Sequence, residues 1–171
     1  MPKIKVELSE QSIADAIKQI KAYKKTLNAK LAELRNRVAE ELKNEVKIGF
    51  NGALYDDVIH EGMKVPDVEV GIDERGNLTF VVAEGEQAVF AEFGAGVYYN
   101  ADGGRPDRPA GIVQIGEYGK GYGKRKIWGY YDESGELKLT HGTPASMPMY
   151  YAVRKIAQIV PDIAKEVFKE G

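Results

Sequence analysis

The residues of this chain that could do chemistry with a ligand are concentrated in one stretch, YGKGYGKRKIWGYY, residues 118–131. It holds three glycines in its first six positions, then three consecutive basic residues, then a tryptophan and two tyrosines. Glycine-rich loops cradle phosphates, cations track a phosphate backbone, and aromatic rings stack on bases. Aromatic residues and arginine are also enriched in protein–protein interfaces. The stretch therefore raises three alternatives: a nucleotide loop, a strip for single-stranded nucleic acid, or a surface for another protein.

The nucleotide-loop alternative fails on spacing. A phosphate-binding loop needs a glycine, four residues, then Gly-Lys-Ser/Thr, between a strand and a helix. Here Gly123–Lys124 is followed by Arg125, the first glycine position is Tyr118, and no helix is predicted to follow. The run GEYGKG, residues 116–121, also lacks the glycine order of a dinucleotide-binding turn. The stretch is therefore predicted to bind no nucleotide cofactor.

Two alternatives stay open for residues 118–131. Their cations and rings could bind single-stranded nucleic acid through its backbone and bases. Because the net charge of the whole chain is −2, a protein partner is favoured over a nucleic-acid partner. The side chains expected to form this surface are Tyr118, Tyr122, Lys124, Arg125 and Tyr131.

No catalytic or metal-binding constellation is recognisable in the sequence. The chain has no cysteine, which removes thiolate nucleophiles and thiolate metal ligands. The histidines, His60 and His141, lack the spacing of paired metal ligands. Ser134 and Ser146 lack the strand–turn–helix context of a nucleophilic serine. We therefore expect no enzymatic activity, no metal and no cofactor.

Composition indicates one domain that is made in the cytoplasm. A length of 171 residues, with 43% hydrophobic and 29% charged residues, suits a single domain over residues 1–171. No stretch approaches the roughly 20 apolar residues that cross a bilayer, and the first residues lack the apolar run of a signal peptide. We therefore expect no membrane association.

Charge is distributed unevenly along the chain. Residues 11–47 carry nine Lys or Arg against five Asp or Glu, residues 48–93 carry two against ten, and residues 95–131 carry six against three. One interpretation is a helix with a solvated basic face. The other is a subunit whose basic end meets the acidic end of a neighbour, as head-to-tail contacts in a ring allow.

Apolar residues at steps of three and four predict a long N-terminal helix. Either Ser9 or Ser12 is expected to cap its start. The pattern is interrupted at Lys24, which predicts either a break there or one long helix with a polar step, and the helix is expected to end at Gly49. The apolar positions expected to be buried are Ile13, Ile17, Ile20, Leu27, Leu31, Leu34, Val38, Leu42 and Val46.

The middle of the chain predicts short strands and a long loop. A helical turn is expected at 54–59, and hairpins are expected around ERGN at 74–77 and DESG at 132–135. A short helix is predicted to end at Gly94, since glycine is the usual residue after a helix C-terminus. Residues 95–125 hold eight glycines and are expected to form a long mobile loop.

A second long helix is predicted near the C-terminus of the chain. Pro148 suits its first turn, and the apolar spacing continues across Pro161, which predicts a kink rather than a stop. In the strand predicted for KIWGYY, residues 126–131, Trp128 and Tyr130 are expected to face the core and Tyr131 the outside. The predicted fold is α+β: a small antiparallel sheet of about four strands covered by the two helices.

Three stretches together resemble a known protein family. They are VFAEFGAGVYYN at 89–100, IGEYGKGYGKRKIWGYYDESGELKLTHG at 115–142 and PASMPMYYAVRKI at 144–156. They resemble the head–tail joining, or tail-completion, family of tailed-phage neck proteins named after gene ten of the siphophage Hong Kong ninety-seven. The resemblance extends from about residue 10 onward and is most specific from Glu92 to Ala152.

The resemblance implies a structural role without catalysis. It implies a neck or minor tail protein of a phage or prophage, placed where the DNA-filled head meets a non-contractile tail. An oligomeric ring, with other neck and tail proteins as partners, would form in the virion after synthesis in the host cytoplasm. The only nucleic acid that such a protein would meet is the DNA that passes through the neck. The positions that carry over as assembly candidates are Glu92, Phe93, Gly94, Pro148 and Met149.

Overall fold

The protein is an α+β chain with a long helix at each end and short antiparallel strands between them. The computed structural model describes residues 7–57, 62–85, 87–96, 98, 125–131 and 134–169. The predicted loop at 95–125 lies almost entirely outside the described residues, so its mobility stays a prediction. The α+β class, with its N-terminal and C-terminal helices, is confirmed.

Helix α1 spans Glu10–Gly52 without interruption. The hydroxyl of Ser9 accepts the N–H of Ser12 at 3.2 Å, so Ser9 is the residue that caps the helix. The polar step at Lys24 lies within this continuous helix, and a break there is wrong. The predicted end at Gly49 is also wrong, because the last turn continues to Gly52.

In the part of the chain that the structure describes, six short strands form three separate antiparallel pairs. The predicted hairpins are confirmed as the β3–β4 and β5–β6 pairs, with turns that contain Gly76 and Gly135 in left-handed conformations. The helical turn expected at 54–59 is wrong, because its first half forms strand β1, which pairs with β2. The strands are β1 Tyr55–Asp57, β2 Gly62–Lys64, β3 Glu69–Arg75, β4 Leu78–Glu84, β5 Trp128–Tyr131 and β6 Leu137–Thr140.

A single sheet of about four strands is not confirmed. Within the described residues, β3 pairs with β4 and β5 pairs with β6, and no ladder joins the two hairpins. A hairpin pattern in a sequence identifies two strands that share a turn. It holds no information on whether one hairpin pairs sideways with another, so the larger sheet was an extrapolation.

Two further helices complete the described fold. Helix α2, Ala88–Phe93, ends at Gly94, whose N–H donates to the Phe90 carbonyl at 2.7 Å, as predicted. Helix α3 spans Pro148–Lys169 and continues through Pro161. The predicted start and the absence of a stop at Pro161 are confirmed, while the kink there stays a prediction.

The chain divides into two compact units. One unit comprises the residues up to Val38 and those from Ile159 onward. In it, Ile163 and Val167 of α3 are buried, and the guanidinium Nη2 of Arg37 lies 2.5 Å from Glu166 Oε2. The expected burial of the α1 apolar stripe is wrong for four of its residues, which stay about half exposed: Ile13, Ile17, Ile20 and Leu31.

The second unit, Ala39–Gln158, contains the main hydrophobic core. One face of the β3–β4 pair, the ends of α1 and α3 that belong to this unit, and α2 all contribute to the core. Its buried members are Val46, Phe50, Ala53, Val70, Ala88, Ala91 and Ala152. Within the described residues, no helix combines the length and the apolar character needed to cross a membrane.

Candidate functional site

Two motifs singled out in the sequence lie against each other in the second unit. The segment after α2 and the segment before α3 form an antiparallel bridge at Ala95 and Thr143, with both N–H···O distances 2.9 Å. The carbonyl oxygen of Ala91 accepts the N–H groups of Ser146 at 2.9 Å and Met147 at 3.3 Å. The structure therefore joins the Glu92–Phe93–Gly94 motif to the residues that lead into α3.

A buried carboxylate makes the strongest contact between these motifs. Glu92 is 8% exposed, and its Oε2 accepts the N–H of Met149 at 2.8 Å while its Oε1 accepts the N–H of Tyr150 at 3.1 Å. The first N–H groups of a helix have no partner within the helix, and the helix dipole places partial positive charge there. Glu92 therefore caps α3 from a position 57 residues earlier in the chain. We call this contact the Glu92 cap.

Burial controls the protonation of the Glu92 cap. Desolvation raises the pKa of Glu92 above its ordinary value of 4.5, and the hydrogen bonds from Met149 and Tyr150 offset part of that rise. The carboxyl group of Glu92 therefore stays protonated to a higher pH in the folded chain than in the unfolded chain.

This raised pKa predicts a pH-dependent contribution to stability. Above pH 4.5 the unfolded chain releases the Glu92 proton while the folded chain retains it, so the contribution is present at low pH and is lost as pH rises through the folded pKa. We expect the free-energy difference between wild type and Glu92→Gln, measured by urea unfolding, to shrink as pH rises through that window. A difference that grows with pH would show that the helix dipole outweighs burial at this site.

Two glycines permit the close approach of the two motifs. Gly142 has φ +101°, and a Cβ there would overlap the carbonyl oxygen of Ala95. Gly96 has φ +76°, and a Cβ there would lie 2.9 Å from the His141 carbonyl oxygen and 3.1 Å from Trp128 Nε1. Positive φ and lack of space both exclude side chains, so these positions require glycine.

The remaining assembly candidates in this region are largely inside the molecule. Pro148 is buried, because α1 approaches it at Gly49, where a Cβ would lie 2.7 Å from the Pro148 Cβ. Met149 is half-buried and packs against the main core, Phe93 is half-buried, and Gly94 is buried. These residues hold the fold of the unit together, and an assembly role for them stays a prediction.

The β5–β6 hairpin carries the described part of the basic-aromatic stretch. Trp128 is half-buried and lies beside Tyr130, with ring centroids 6.0 Å apart, whereas Tyr131 is 74% exposed. Arg125 and Lys126 are exposed. The shared face of Trp128 and Tyr130 and the outward position of Tyr131 are confirmed. The expected core position is wrong for Tyr130, which is exposed, and Trp128 is only half-buried. The candidates that lie outside the described residues are Tyr118, Tyr122 and Lys124.

Trp128 is expected to support the hairpin without being a full core residue. Its Nε1 is buried with no acceptor among the described residues. We expect Trp128→Ala to cost about 2 kcal/mol, less than the roughly 3–5 typical of a fully buried ring. Trp128→Phe should cost under about 1 kcal/mol, because it also removes an unpaired buried donor. Thermal unfolding measures both variants, and an unshifted Trp128→Ala protein would assign the indole to a partner surface.

No metal-binding cluster of His, Cys, Asp or Glu exists among the described residues. The imidazole of His141 stacks on the ring of Tyr98, with centroids 4.2 Å apart. His60 lies outside the described residues. The described site therefore offers backbone contacts, a capping carboxylate and an exposed aromatic-basic hairpin.

Sequence reasoning identified the motifs but missed how they act. Glu92 was selected by its motif, whereas its role as a cap for α3 was not foreseen. Met147 was also missed: it is fully buried and has φ +53°, an uncommon conformation for a residue with a side chain. A carboxylate in one motif and a helix-starting proline in another were the available signals, but only the hydrogen bonds of Glu92 with Met149 and Tyr150 show that the two motifs are paired.

No protein-family model, curated protein or solved structure matches this chain. The role of the chain must therefore be inferred from its motifs and from the contacts among them. The most informative of those contacts is the meeting of the segments around Glu92 and Pro148.

Proposed function

We propose that this chain is a structural virion protein of a tailed, siphovirus-type phage that acts in head–tail joining, or tail completion, at the neck. The observation that carries the proposal is the Glu92 cap. It joins the acidic-aromatic-glycine motif to the segment that leads into α3, and these are the two segments in which the sequence resemblance is most specific. Two segments that each resemble the same family, and that also contact each other in the fold, support membership better than either segment alone.

This role is mechanical rather than catalytic. The cap and the Ala95–Thr143 bridge hold α2 and the start of α3 in one arrangement. Such a unit presents surface residues to its partners in fixed positions, which lowers the entropy cost of binding. Partners would be further copies in a ring and other neck and tail proteins, in a virion assembled in the bacterial cytoplasm. For that assembled form, a sheet of about four strands and a kink at Pro161 remain proposals.

The β5–β6 hairpin is the proposed contact with those partners. Tyr131 is 74% exposed, and Arg125 and Lys126 are exposed beside the same hairpin. Tyrosine and arginine often dominate the energy of protein interfaces. A few such side chains on a rigid hairpin would suffice to anchor a neighbour.

Loss of the gene from the phage or prophage tests the function. We expect DNA-filled heads and complete tails to accumulate separately, and the purified wild-type protein to restore joined particles in a mixed extract. Tyr131→Ala should fold normally and restore joining at least about tenfold less well. Val153→Ala, at a 53% exposed apolar position of α3, is the control. Joined, infectious particles in the absence of the protein would overturn the proposal.

A nucleic-acid-binding protein that uses residues 118–131 is the second candidate. It is favoured by the exposure of Arg125, Lys126 and Tyr131, which could contact phosphates and stack a base. Binding to a single-stranded oligonucleotide that weakens steeply as salt rises, and that is lost in Arg125→Glu, would favour this candidate.

A further inference from the structure

The first turns of α1 present an apolar and basic surface. Ile13, Ile17 and Ile20 lie three or four residues apart, so they share one side of the helix, and they are 45%, 48% and 54% exposed. Lys21 and Lys24 follow one turn after Ile17 and Ile20 on the same side. Five lysines and no carboxylate occur between Asp15 and Glu33. We call these isoleucines and the two lysines the basic helix face.

The outer face of the β3–β4 pair has the opposite charge. Side chains on this face alternate with the core-facing Val70 and include two directly opposed carboxylates, Glu69 and Glu84. Leu78 and Phe80 on the same face are 61% and 41% exposed. We call this surface, with Asp73 included, the acidic hairpin face; its members are Glu69, Asp73, Leu78, Phe80 and Glu84. Arg75 lies at the turn end of the same face, where its guanidinium pairs with Asp73 at 2.6 Å and lies over the Phe80 ring.

The acidic hairpin face is concave at its centre. Gly71 lies opposite Val82, and the absence of a side chain there leaves an open depression of about 390 Å³, with Glu69 and Glu84 at the end away from the turn and Arg75 at the turn end. Like charges directly opposite in a ladder repel each other. A lysine side chain would suit this depression, since its methylene stem contacts apolar surface while its ammonium group lies between the carboxylates.

We propose that the basic helix face of one copy of this chain docks on the acidic hairpin face of a second copy. The proposal rests on the proposed function in that it names how copies of a neck protein contact one another. The basic helix face has two lysines against Glu10, which lies one turn before Ile13, and the acidic hairpin face has three carboxylates against Arg75. The net charges of the two faces are therefore opposite in sign, and contact between unlike faces is favoured over contact of a face with itself. Every copy carries one face of each kind, and such head-to-tail contacts close into a ring when the rotation between copies permits.

Paired charge reversals test this contact in solution. The helix variant is Lys21→Glu with Lys24→Glu, and the hairpin variant is Glu69→Lys with Glu84→Lys. We expect sedimentation of the wild type to show concentration-dependent self-association, and each variant alone to associate on the order of 100-fold more weakly. An equal mixture of the two variants should regain association, because each reversed face then meets a complementary one.

Three controls separate the contact from folding and from general charge effects. Lys47→Glu and Glu41→Lys are single charge reversals of the same two kinds at exposed positions of α1 outside the basic helix face, and both should associate as the wild type does. Gly71→Val fills the depression, since among the described residues a Cβ there meets just Val82 Cγ2, at 3.7 Å. It should leave thermal unfolding unchanged within a few degrees while weakening association. Circular dichroism of every variant should match the wild type.

Several outcomes would overturn the proposal. They are a wild type that stays monomeric at the highest attainable concentration, reversed variants that associate normally, and a mixture that does not regain association. Binding of the wild type to duplex DNA or to anionic vesicles through Lys21 and Lys24, without self-association, would assign the basic helix face to another occupant and also overturn it. If particles still fail to join without the gene, the proposed function stands while this contact alone is refuted.

Discussion

Replacing Gly142 by alanine is expected to prevent stable folding of the second unit. Gly142 has φ +101°, where a side chain is strained by about 1–2 kcal/mol. Its Cβ would also overlap the Ala95 carbonyl oxygen, which accepts the N–H of Thr143 at 2.9 Å. Relief of the overlap would separate the two strands of this bridge, so we expect a total cost above about 4 kcal/mol. Urea unfolding followed by circular dichroism measures it.

Gly135→Ala is the matched control for this experiment. Gly135 also has a positive φ, +81°, but no atom of the described residues lies within 4 Å of the position its Cβ would take. The free energy of unfolding of this variant should fall only by the conformational strain that alanine introduces, about 1–2 kcal/mol. The difference between the two variants isolates the contact with Ala95. Equal losses at both positions would show that the close approach at Gly142 contributes nothing.

Removal of the Glu92 cap is expected to have the second-largest effect. Glu92→Ala deletes two charge-assisted hydrogen bonds and leaves the N–H groups of Met149 and Tyr150 without their acceptors. We expect a loss of about 3–5 kcal/mol. Glu92→Gln keeps the shape of the side chain and one oxygen acceptor, but its amide nitrogen faces a donor, and a loss of about 2 kcal/mol is expected. Amide hydrogen exchange at Met149 and Tyr150 should accelerate in both variants.

A surface carboxylate provides the comparison for Glu92. Glu166 pairs with Arg37, but the two side chains are 62% and 43% exposed. Glu166→Gln should therefore change the free energy of unfolding by less than about 1 kcal/mol. If Glu92→Gln were equally mild, the carboxylate would not be the residue that holds the start of α3.

Local patterns predicted the elements of this fold well. The Gly76 and Gly135 turns, the stop at Gly94 and the start at Pro148 were all predicted because each depends on residues close in sequence. The continuous α1 was one of two alternatives, since a single lysine in an apolar stripe does not break hydrogen bonds within a helix. Such features are encoded within a few residues.

Contacts between distant segments were not predictable from those patterns. The site residues were found by resemblance, yet the role of Glu92 depends on N–H groups 57 positions away. The exposure of Ile17 could not be foreseen either, because periodicity identifies an apolar side of a helix but not whether another element covers it. The lateral pairing of hairpins was missed for a similar reason: the sequence pattern of one hairpin carries no record of its neighbours.

The bridge between Ala95 and Thr143 has a consequence for the chain that connects them. This bridge and the Glu92 cap bring together the two ends of a long intervening segment. The entropy lost on closing such a loop rises only with the logarithm of its length, so doubling the segment would cost about 0.6 kcal/mol. The loop must nevertheless close before α3 gains its cap, so we expect the cap to form after the local turns of α1. The intervening length can therefore vary among related chains at little thermodynamic cost, whereas its two anchor points cannot.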